Sequence, residues 1–413
     1  MRYGAPSHRL ESQLAAAARI LEIEAQFMHL PSVVIASFGE GDERGSETHF
    51  IKSPQGLSLG KLHDVHLVYR QVMHHEIGAV EGTQQLDRLL RSPPLYGTRL
   101  RIVFAFLCTF LICPLAFHGS IIDALISGAG GALLCSLQLL VASKNPLYAN
   151  VFEISIAILM AFVARGLSSI QSQIFCYEAI SSAGVVLILP GYIILCSALE
   201  LASKNIICGS VRMVYAIIYS LFLGFGLTIG SDLYLLLPDL AEGCYRNPDW
   251  PWYLQEFPWW TLFILVPVFS FISSLSSMQP LKRKDLPIMV VISCASFAAN
   301  TAANYYIFER SDVVSAIGAF VVGLLGNLYS RVFRGTAFTV MVTGVLFLVP
   351  SGLSAAGGLS QNYRGQDGDQ YSNGLQIGVR MVQVSIGITV GLFGSGLLVY
   401  SFGRKKSGGT FAF

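Results

Sequence analysis

Up to about residue 100, apolar and polar residues alternate over short distances; beyond it, apolar runs follow one another with brief interruptions. Leu10, Leu14, Ala17, Ile20 and Leu21 recur at helical spacing and predict an amphipathic helix from Pro6 to about Leu21, with Pro6 suited to a first turn. Glu24 to Phe38 is rich in Ile, Val and Phe and is interrupted by Pro31. It reads as one or two strands closed by the turn Gly39-Glu40-Gly41-Asp42, with Thr48 to Lys52 as a partner strand. Leu57 to Glu76 and Val80 to Leu90 read as two further helices. This part is a small soluble α+β unit.

The rest of the chain carries apolar runs of membrane length, about 20 residues each. They fall near 102–118, 120–142, 147–165, 178–199, 209–231, 259–278, 287–304, 313–331, 336–352 and 376–402, five to each half. The fourth run contains Leu189-Pro190-Gly191 and the ninth contains Val349-Pro350-Ser351-Gly352. After each comes a polar gap, then Asn205 leading to Val211-Arg212-Met213-Val214, and Asn373 leading to Val379-Arg380-Met381-Val382. In both copies Asn stands seven residues before the Arg and a glycine, Gly226 or Gly394, fourteen after it. The second copy differs mainly by an insertion around Tyr363 to Tyr371. Such shared spacing predicts an internal duplication. An odd number of spans per copy makes the second cross in the opposite sense. The expected fold is therefore a membrane all-α protein of about ten transmembrane helices, arranged as two inverted five-helix repeats after a small soluble α+β domain. The expected boundaries are 1–98, 99–235 and 236–413.

Composition agrees. The 413 residues are 53% hydrophobic and only 13% charged, about half the charged share of a soluble domain, and mean hydropathy is +0.58. The net charge of +2 selects no partner, and nothing points to nucleic acid. With the N-terminus in the cytoplasm, the basic residues Arg88, Arg91, Arg99, Arg101, Lys144, Lys204, Lys282, Arg283, Lys284, Arg331, Arg334, Arg404, Lys405 and Lys406 all fall on one side. That matches the positive-inside rule and places both termini in the cytoplasm. Trp250, Trp252, Trp259 and Trp260 crowd the boundary before the sixth span, where indoles favour the headgroup zone. The opening residues contain no apolar leader and start inside what reads as a helix, as expected of a piece of a longer chain. Most cysteines sit in apolar runs as small hydrophobes; Cys176 and Cys244 lie in loops on one predicted side, where a bridge between them is the weaker reading.

Candidate chemistry concentrates at the interrupted spans. Pro190, Gly191, Pro350 and Gly352 free backbone groups that a bilayer tolerates only where protein or a water cavity satisfies them, which points to a solute pathway or else to kinks in packed helices. Asn205 and Asn373 suit N-cap positions, with Arg212 and Arg380 two turns deeper. An arginine at that depth faces a partner or a cavity, or snorkels to the interface. Candidate counter-charges are Asp123, Glu153, Glu178, Glu200 and Asp232, and Asp123 or Glu153 also suits a coupling proton. Asn300 and Asn304 read as pathway liners or interhelical glue. His63, His66, His74, His75 and Glu76 invite a metal reading, but Ala79 stands where a His-Glu-x-x-His box needs its second histidine, so no metal is expected. No Walker A loop or Gly-x-Ser-x-Gly is present, so neither an ATP-driven pump nor a hydrolase is expected, and no cofactor.

Gly4-Ala5-Pro6-Ser7-His8-Arg9-Leu10-Glu11, the Arg-Leu-Leu-Arg-Ser-Pro-Pro segment at 88–94 and Leu189-Pro190-Gly191 resemble the threonine/serine exporter family. The resemblance covers essentially the whole chain and is nearest to the fungal branch, the pheromone-regulated membrane proteins. It implies an exporter-like N-terminal part with five spans, a second five-span part, and proton-driven efflux of small hydroxy-amino acids such as threonine or serine. Where bacterial members carry Thr-Asn shortly after the Pro-Gly, this chain has Leu195 and Cys196. The alternative function is a non-transporting membrane scaffold in fungal mating or cell fusion.

Overall fold

The computed structural model describes residues 2–39, 47–52, 56–144, 146–170, 174–235, 249–307, 311–333, 335–355 and 370–401. In the soluble part, helix α1 spans Ser7–Ile20, with Pro6 just outside it as the N-cap. Strand β1 (Ala25–Leu30) turns through Pro31-Ser32 into β2 (Val33–Phe38), and β3 (Glu47–Lys52) pairs with β2, all antiparallel. The proline thus separates two strands. Ser32 completes the turn at φ +69°, in the left-handed region. The turn expected at Gly39–Asp42 lies outside the described residues after Gly39. Helices α2 (Leu59–Met73) and α3 (Ala79–Arg91) follow.

The apolar region opens with α4 (Thr98–Phe117), α5 (Ile121–Leu137, prolonged by a π-helical turn Gln138–Ala142) and α6 (Pro146–Ser168). Next come α7 (Tyr177–Gly184), α8 (Gly191–Ala202) and α9 (Ile206–Leu235). The second half holds α10 (Leu262–Ser276), α11 (Asp285–Tyr306), α12 (Ser311–Phe333), α13 (Ala337–Ala355) and α14 (Gln370–Ser401). Among the described residues, eight helices are long and apolar enough to cross a membrane. A ninth candidate is bent: α7, with the turn Val186–Ile188, meets α8 at 54°. α13 adds a shorter apolar stretch, Ala337–Pro350. The chain is a multi-pass, mostly helical membrane protein with a small three-stranded sheet at its N-terminal end.

The two prolines act differently. Leu189, before Pro190, is extended at ψ 137° and ends the helix there, as expected for a residue preceding proline. Pro350 stays inside α13. The turn between α4 and α5 is built from His118 in the left-handed region and a capping box, Ser120 with Asp123.

Each of the two buried hydrophobic clusters draws on both halves of the apolar region, so the halves share their cores. Phe347 of α13, for example, shares a cluster with Phe104 and Leu111 of α4, and its ring meets Phe269 of α10 at a tilt, 4.9 Å between centroids, and Phe297 of α11 edge-on at 4.8 Å. Glycines let helix backbones approach. A Cβ at Gly230 of α9 would collide with the Ile158 carbonyl of α6, and one at Gly391 of α14 with the Ala316 carbonyl of α12.

The soluble part bridges both halves. α1 and β1 sit against α8 and α9, while the start of α2 hydrogen-bonds the α10–α11 connection, Leu59 N–H to Ser277 O at 3.1 Å and Gly60 N–H to Met278 O at 3.2 Å. Tyr96 donates to Gln279 O at 2.8 Å, Arg283 pairs with Asp64, and Tyr329 of α12 donates to Asp285 at 2.6 Å, with His63 Nδ1 3.3 Å from the other Asp285 oxygen.

Candidate functional site

A three-residue connection joins α8 to α9, with Lys204 in the left-handed region and Asn205 N–H closing onto the Glu200 carbonyl at 2.9 Å. This tight turn brings Glu200, near the end of α8, against Arg212, two turns into α9. Arg212 Nη1 donates to Glu200 Oε1 in an ion pair that is 0% exposed on the glutamate side and 11% on the arginine side. The arginine therefore takes a buried partner rather than snorkelling.

The partner is shared with the soluble part. Ser7 N–H, at the first turn of α1, donates to the same Glu200 Oε1 at 2.8 Å, so an anion lies where the α1 dipole is positive. Asn205 sends its side-chain amide to Glu11 Oε2 at 3.2 Å and to Ser7 Oγ at 3.5 Å. The Glu11 Oε1 oxygen accepts from His29 N–H at 2.7 Å. Cys208, one turn into α9, donates to His29 O at 3.0 Å. On α8, Tyr192 donates to the Gly4 carbonyl. Ser7 and Glu11 stand four residues apart and share one face of α1, which is how a single helix reaches both Glu200 and Asn205.

Electrostatics at this junction keep protons off the imidazoles. Burial, reinforced by Arg9 and Arg212, pushes His8 down to about 4; burial with Arg212 does the same to His29. Both His8 ring nitrogens are buried without a partner, as are Glu200 Oε2 and Arg212 Nε. Glu11 is pushed upward by burial, against the pull of its bonds from His29 and Asn205.

A cavity of about 380 Å³ opens beside the pair. Arg212, Tyr192, Cys196 and Tyr215 line it from the helices, and Gly4 and Ser32 from the soluble part. Beside Tyr192, which lines this cavity, the start of α8 meets the continuous helix α13. A Cβ on Gly191 would stand 3.2 Å from Val349 Cγ2 and 3.4 Å from Leu346 Cδ2 of α13. α9 and α14, the helices with the two Val-Arg-Met-Val tetrads, also pack together.

The structure thus brings together Glu200, Asn205 and Arg212 at the end of α8, while at its start Gly191, next to Pro190, lies against Val349, the neighbour of Pro350. Other candidates stand apart. Asp123, fully buried, accepts Ser120 N–H at 3.0 Å, Ser120 Oγ at 2.9 Å and Cys176 N–H at 3.0 Å, so it ties α5 to the start of α7. Glu153 of α6 bonds Tyr219, which stacks on the cavity residue Tyr215. Glu178 is half-buried at the start of α7. Asn300 is buried beside Gly318, and Asn304, a turn further, is exposed. Arg380 is half-buried on α14.

One capping expectation is corrected. Asn205 stands at the N-cap position, directly before α9, and its side-chain amide donates to Glu11 and Ser7, whereas Asn373 lies inside α14, which starts at Gln370, rather than before it. The side chains of Gly352 and Asn373 fall outside the described residues. Cys176 is disulfide-bonded, and Cys244 lies outside the described residues. Ser7, Glu11, His29, Tyr192 and Cys208 were not singled out from sequence as site residues; the signal available was the Gly4–Glu11 motif itself.

A family profile described as a putative threonine/serine exporter matches residues 1–234, and one described as threonine/serine exporter, ThrE, matches residues 263–398. The chain is 39% identical over 420 residues to pheromone-regulated membrane protein 10 of Saccharomyces cerevisiae (strain YJM789), which covers 99% of this chain and 54% of that protein. The proteins of the same name in Kluyveromyces lactis and Candida albicans (strain SC5314) are also 39% identical, over 99% of this chain and 43% and 38% of their own lengths. The chain therefore spans about half, or less, of the curated relatives it matches. No solved structure matches it.

Proposed function

Because this chain belongs to the threonine/serine exporter family, we propose that it is a secondary transporter. It moves small polar solutes such as threonine or serine across a membrane at the expense of a proton gradient. The membrane region works as two inverted repeats of five spans, α4–α9 and α10–α14, with α7 and α8 forming one broken span and α13 its counterpart. Residues 1–98 form a cytoplasmic unit, 99–235 and 236–413 the two repeats, and both termini are cytoplasmic. Pro190, Gly191, Asn205, Arg212 and Glu200 line the path from one half; Pro350, Gly352, Asn373 and Arg380 line it from the other, and Asn300 and Asn304 add polar groups. Glu153, linked through Tyr219 to Tyr215 at the cavity, is the better-placed proton carrier, whereas Asp123 and Glu178 serve structure near α7.

The observation that carries this reading is the close approach of Gly191, just after the break at Pro190, to Val349, just before Pro350 of the continuous α13: the proline-glycine points of the two halves lie together beside a cavity lined by an arginine. Interrupted helices at matching positions are how many secondary transporters build a midplane site. Two further observations support it. The third and fifth spans of each half, α6 with α9 and α12 with α14, pack through glycine on backbone. The Cys176 disulfide, before α7, suits the oxidising side of a membrane, which is where an inside N-terminus puts that loop.

The test is flux of labelled threonine and serine in proteoliposomes with an imposed pH gradient. Gradient-dependent flux abolished by Arg212→Ala at constant protein level is expected; no flux of either solute overturns the reading. In the alternative, a scaffold in mating as the relatives' name suggests, the fully exposed edge strand β3 is the feature in favour. Deleting residues 2–95 then removes the phenotype while Arg212→Ala leaves it intact.

A further inference from the structure

Glu200 Oε1 holds two partners at once: Arg212, which also faces the cavity, and the Ser7 N–H, which is the seat of α1. The second oxygen, Oε2, and the Arg212 Nε are buried and unpartnered. Whatever takes Arg212 away from Glu200 leaves a fully buried carboxylate without its counter-ion, and such an uncompensated charge costs several kcal/mol unless water reaches it. Water reaches Glu200 only if the Gly4–Glu11 segment lifts off, because that segment covers it through Ser7 and closes onto Tyr192 through the Gly4 carbonyl.

We propose that the cavity beside Arg212 is a binding site for a solute carboxylate, and that this carboxylate replaces Glu200 on the guanidinium. The exchange unseats α1 and releases the soluble part from α8 and α9. The inference rests on the transport reading of the same site and adds a recognition rule and a consequence. The rule is that the solute needs a free carboxylate; Tyr215 on the α9 wall offers a hydroxyl to the rest of it, and Tyr192 on α8 does so once the Gly4 carbonyl has left it. The consequence is that loading opens the junction from the first half, while the α2 contacts to Ser277, Met278 and Asp285 keep the soluble part tethered to the second half. The exchange is non-covalent and conserves charge at the guanidinium: one carboxylate leaves it as another arrives.

Cys208 is a built-in reporter. It is free, fully buried and bonded to His29 O of β1, so it becomes reachable when β1 and α1 leave. The experiment is maleimide labelling of the full chain in detergent, read at Cys208 by peptide mass spectrometry, with threonine, serine or threonine amide added. Threonine and serine are expected to raise the labelling rate several-fold, and the amide, equal in size but lacking the carboxylate, to leave it unchanged. In Glu200→Gln the rate is expected to be high without solute and indifferent to it. Flux is measured on the same protein after reconstitution into proteoliposomes with an imposed pH gradient. If threonine is transported but Cys208 labelling ignores it, or responds equally to the amide, the exchange is overturned and transport stands. If there is neither flux nor response, both fall.

Discussion

Ser7 and Glu200, 193 positions apart in sequence, meet through a 2.8 Å hydrogen bond from backbone N–H to carboxylate. One end of that bond is the first turn of α1 in the soluble part and the other is the last turn of α8. The contact makes the N-terminal motif part of the membrane site rather than a separate domain hung beside it. It also explains why Glu200, of all the carboxylates near Arg212, holds the pair: it is neutralised by the guanidinium and by the positive end of α1 together.

Removing the charge from Glu200 is therefore expected to do more than remove a pair. Glu200→Gln leaves Arg212 buried without an anion and α1 without its anchor, at a cost on the order of 3–5 kcal/mol for a broken buried pair. Limited proteolysis should cut between α1 and α2 far faster in this variant than in the parent. If the soluble part stays as resistant as before, the junction is held by apolar packing and not by Glu200.

The contact of Gly191 with Val349 gives a two-sided prediction. Gly191→Ala puts a Cβ 3.2 Å from Val349 Cγ2, a gap that a few tenths of an ångström of movement relieves, so most flux should survive. Gly191→Leu has no such room, and overpacking of this kind costs about 1–3 kcal/mol; flux should fall at least ten-fold. Val349→Ala should restore part of it in the double variant. Independent effects of the two changes would mean that the two residues do not touch in the working protein.

Much of this architecture was legible before any coordinates. Bilayer thickness forces runs of about 20 apolar residues, and proline disfavours a helical residue before it, so the spans show in the chain and Pro190 marks a place for a bend; that Pro350 stays inside α13 does not show there. The tetrads marked α9 and α14, and those helices do pack together. What the chain could not show is which helix faces which. Glu200 was one of five candidate partners for Arg212; Asp123 turned out to cap α5 and Glu153 to bond Tyr219. Ser7, Glu11 and His29 escaped notice because their partners lie about 180 to 195 positions away, beyond the reach of any periodicity. Asn373 lies three residues past the start of α14, so the spacing it shares with Asn205 does not by itself locate the helix start.

Gly230 and Gly391 test the shared packing of the third and fifth spans. At each, an added methyl meets a backbone carbonyl of the neighbouring helix rather than a side chain that can swing away. Gly230→Ala and Gly391→Ala should each lower the thermal midpoint of the detergent-solubilised protein, by a stability loss of about 1–3 kcal/mol. Gly97→Ala, where nothing lies within 4 Å, is the matched control and should leave the midpoint in place.

The junction should also respond to acid, with a sign fixed by its histidines. His8 and His29 each sit at about 4 in the docked state instead of their ordinary 6.5, first through burial and then through Arg212 of α9, with Arg9 adding to it at His8. Above 6.5 the imidazoles are neutral whether the soluble part is docked or released, and docking keeps its full strength. As pH falls from 6.5 towards 4 the released form takes up protons that the docked form refuses, so docking weakens across that window. Glu11, shifted upward, works in the opposite direction, but it is one carboxylate against two imidazoles. Hydrogen exchange of the α1 amides, followed from pH 7.5 to 4.5 after correction for the intrinsic rate, should show protection lost below about pH 6. His29→Gln, which removes one of the protons without a large change in size, should move that loss to lower pH, and a pH-independent protection would mean that these imidazoles are already hydrated in the docked state.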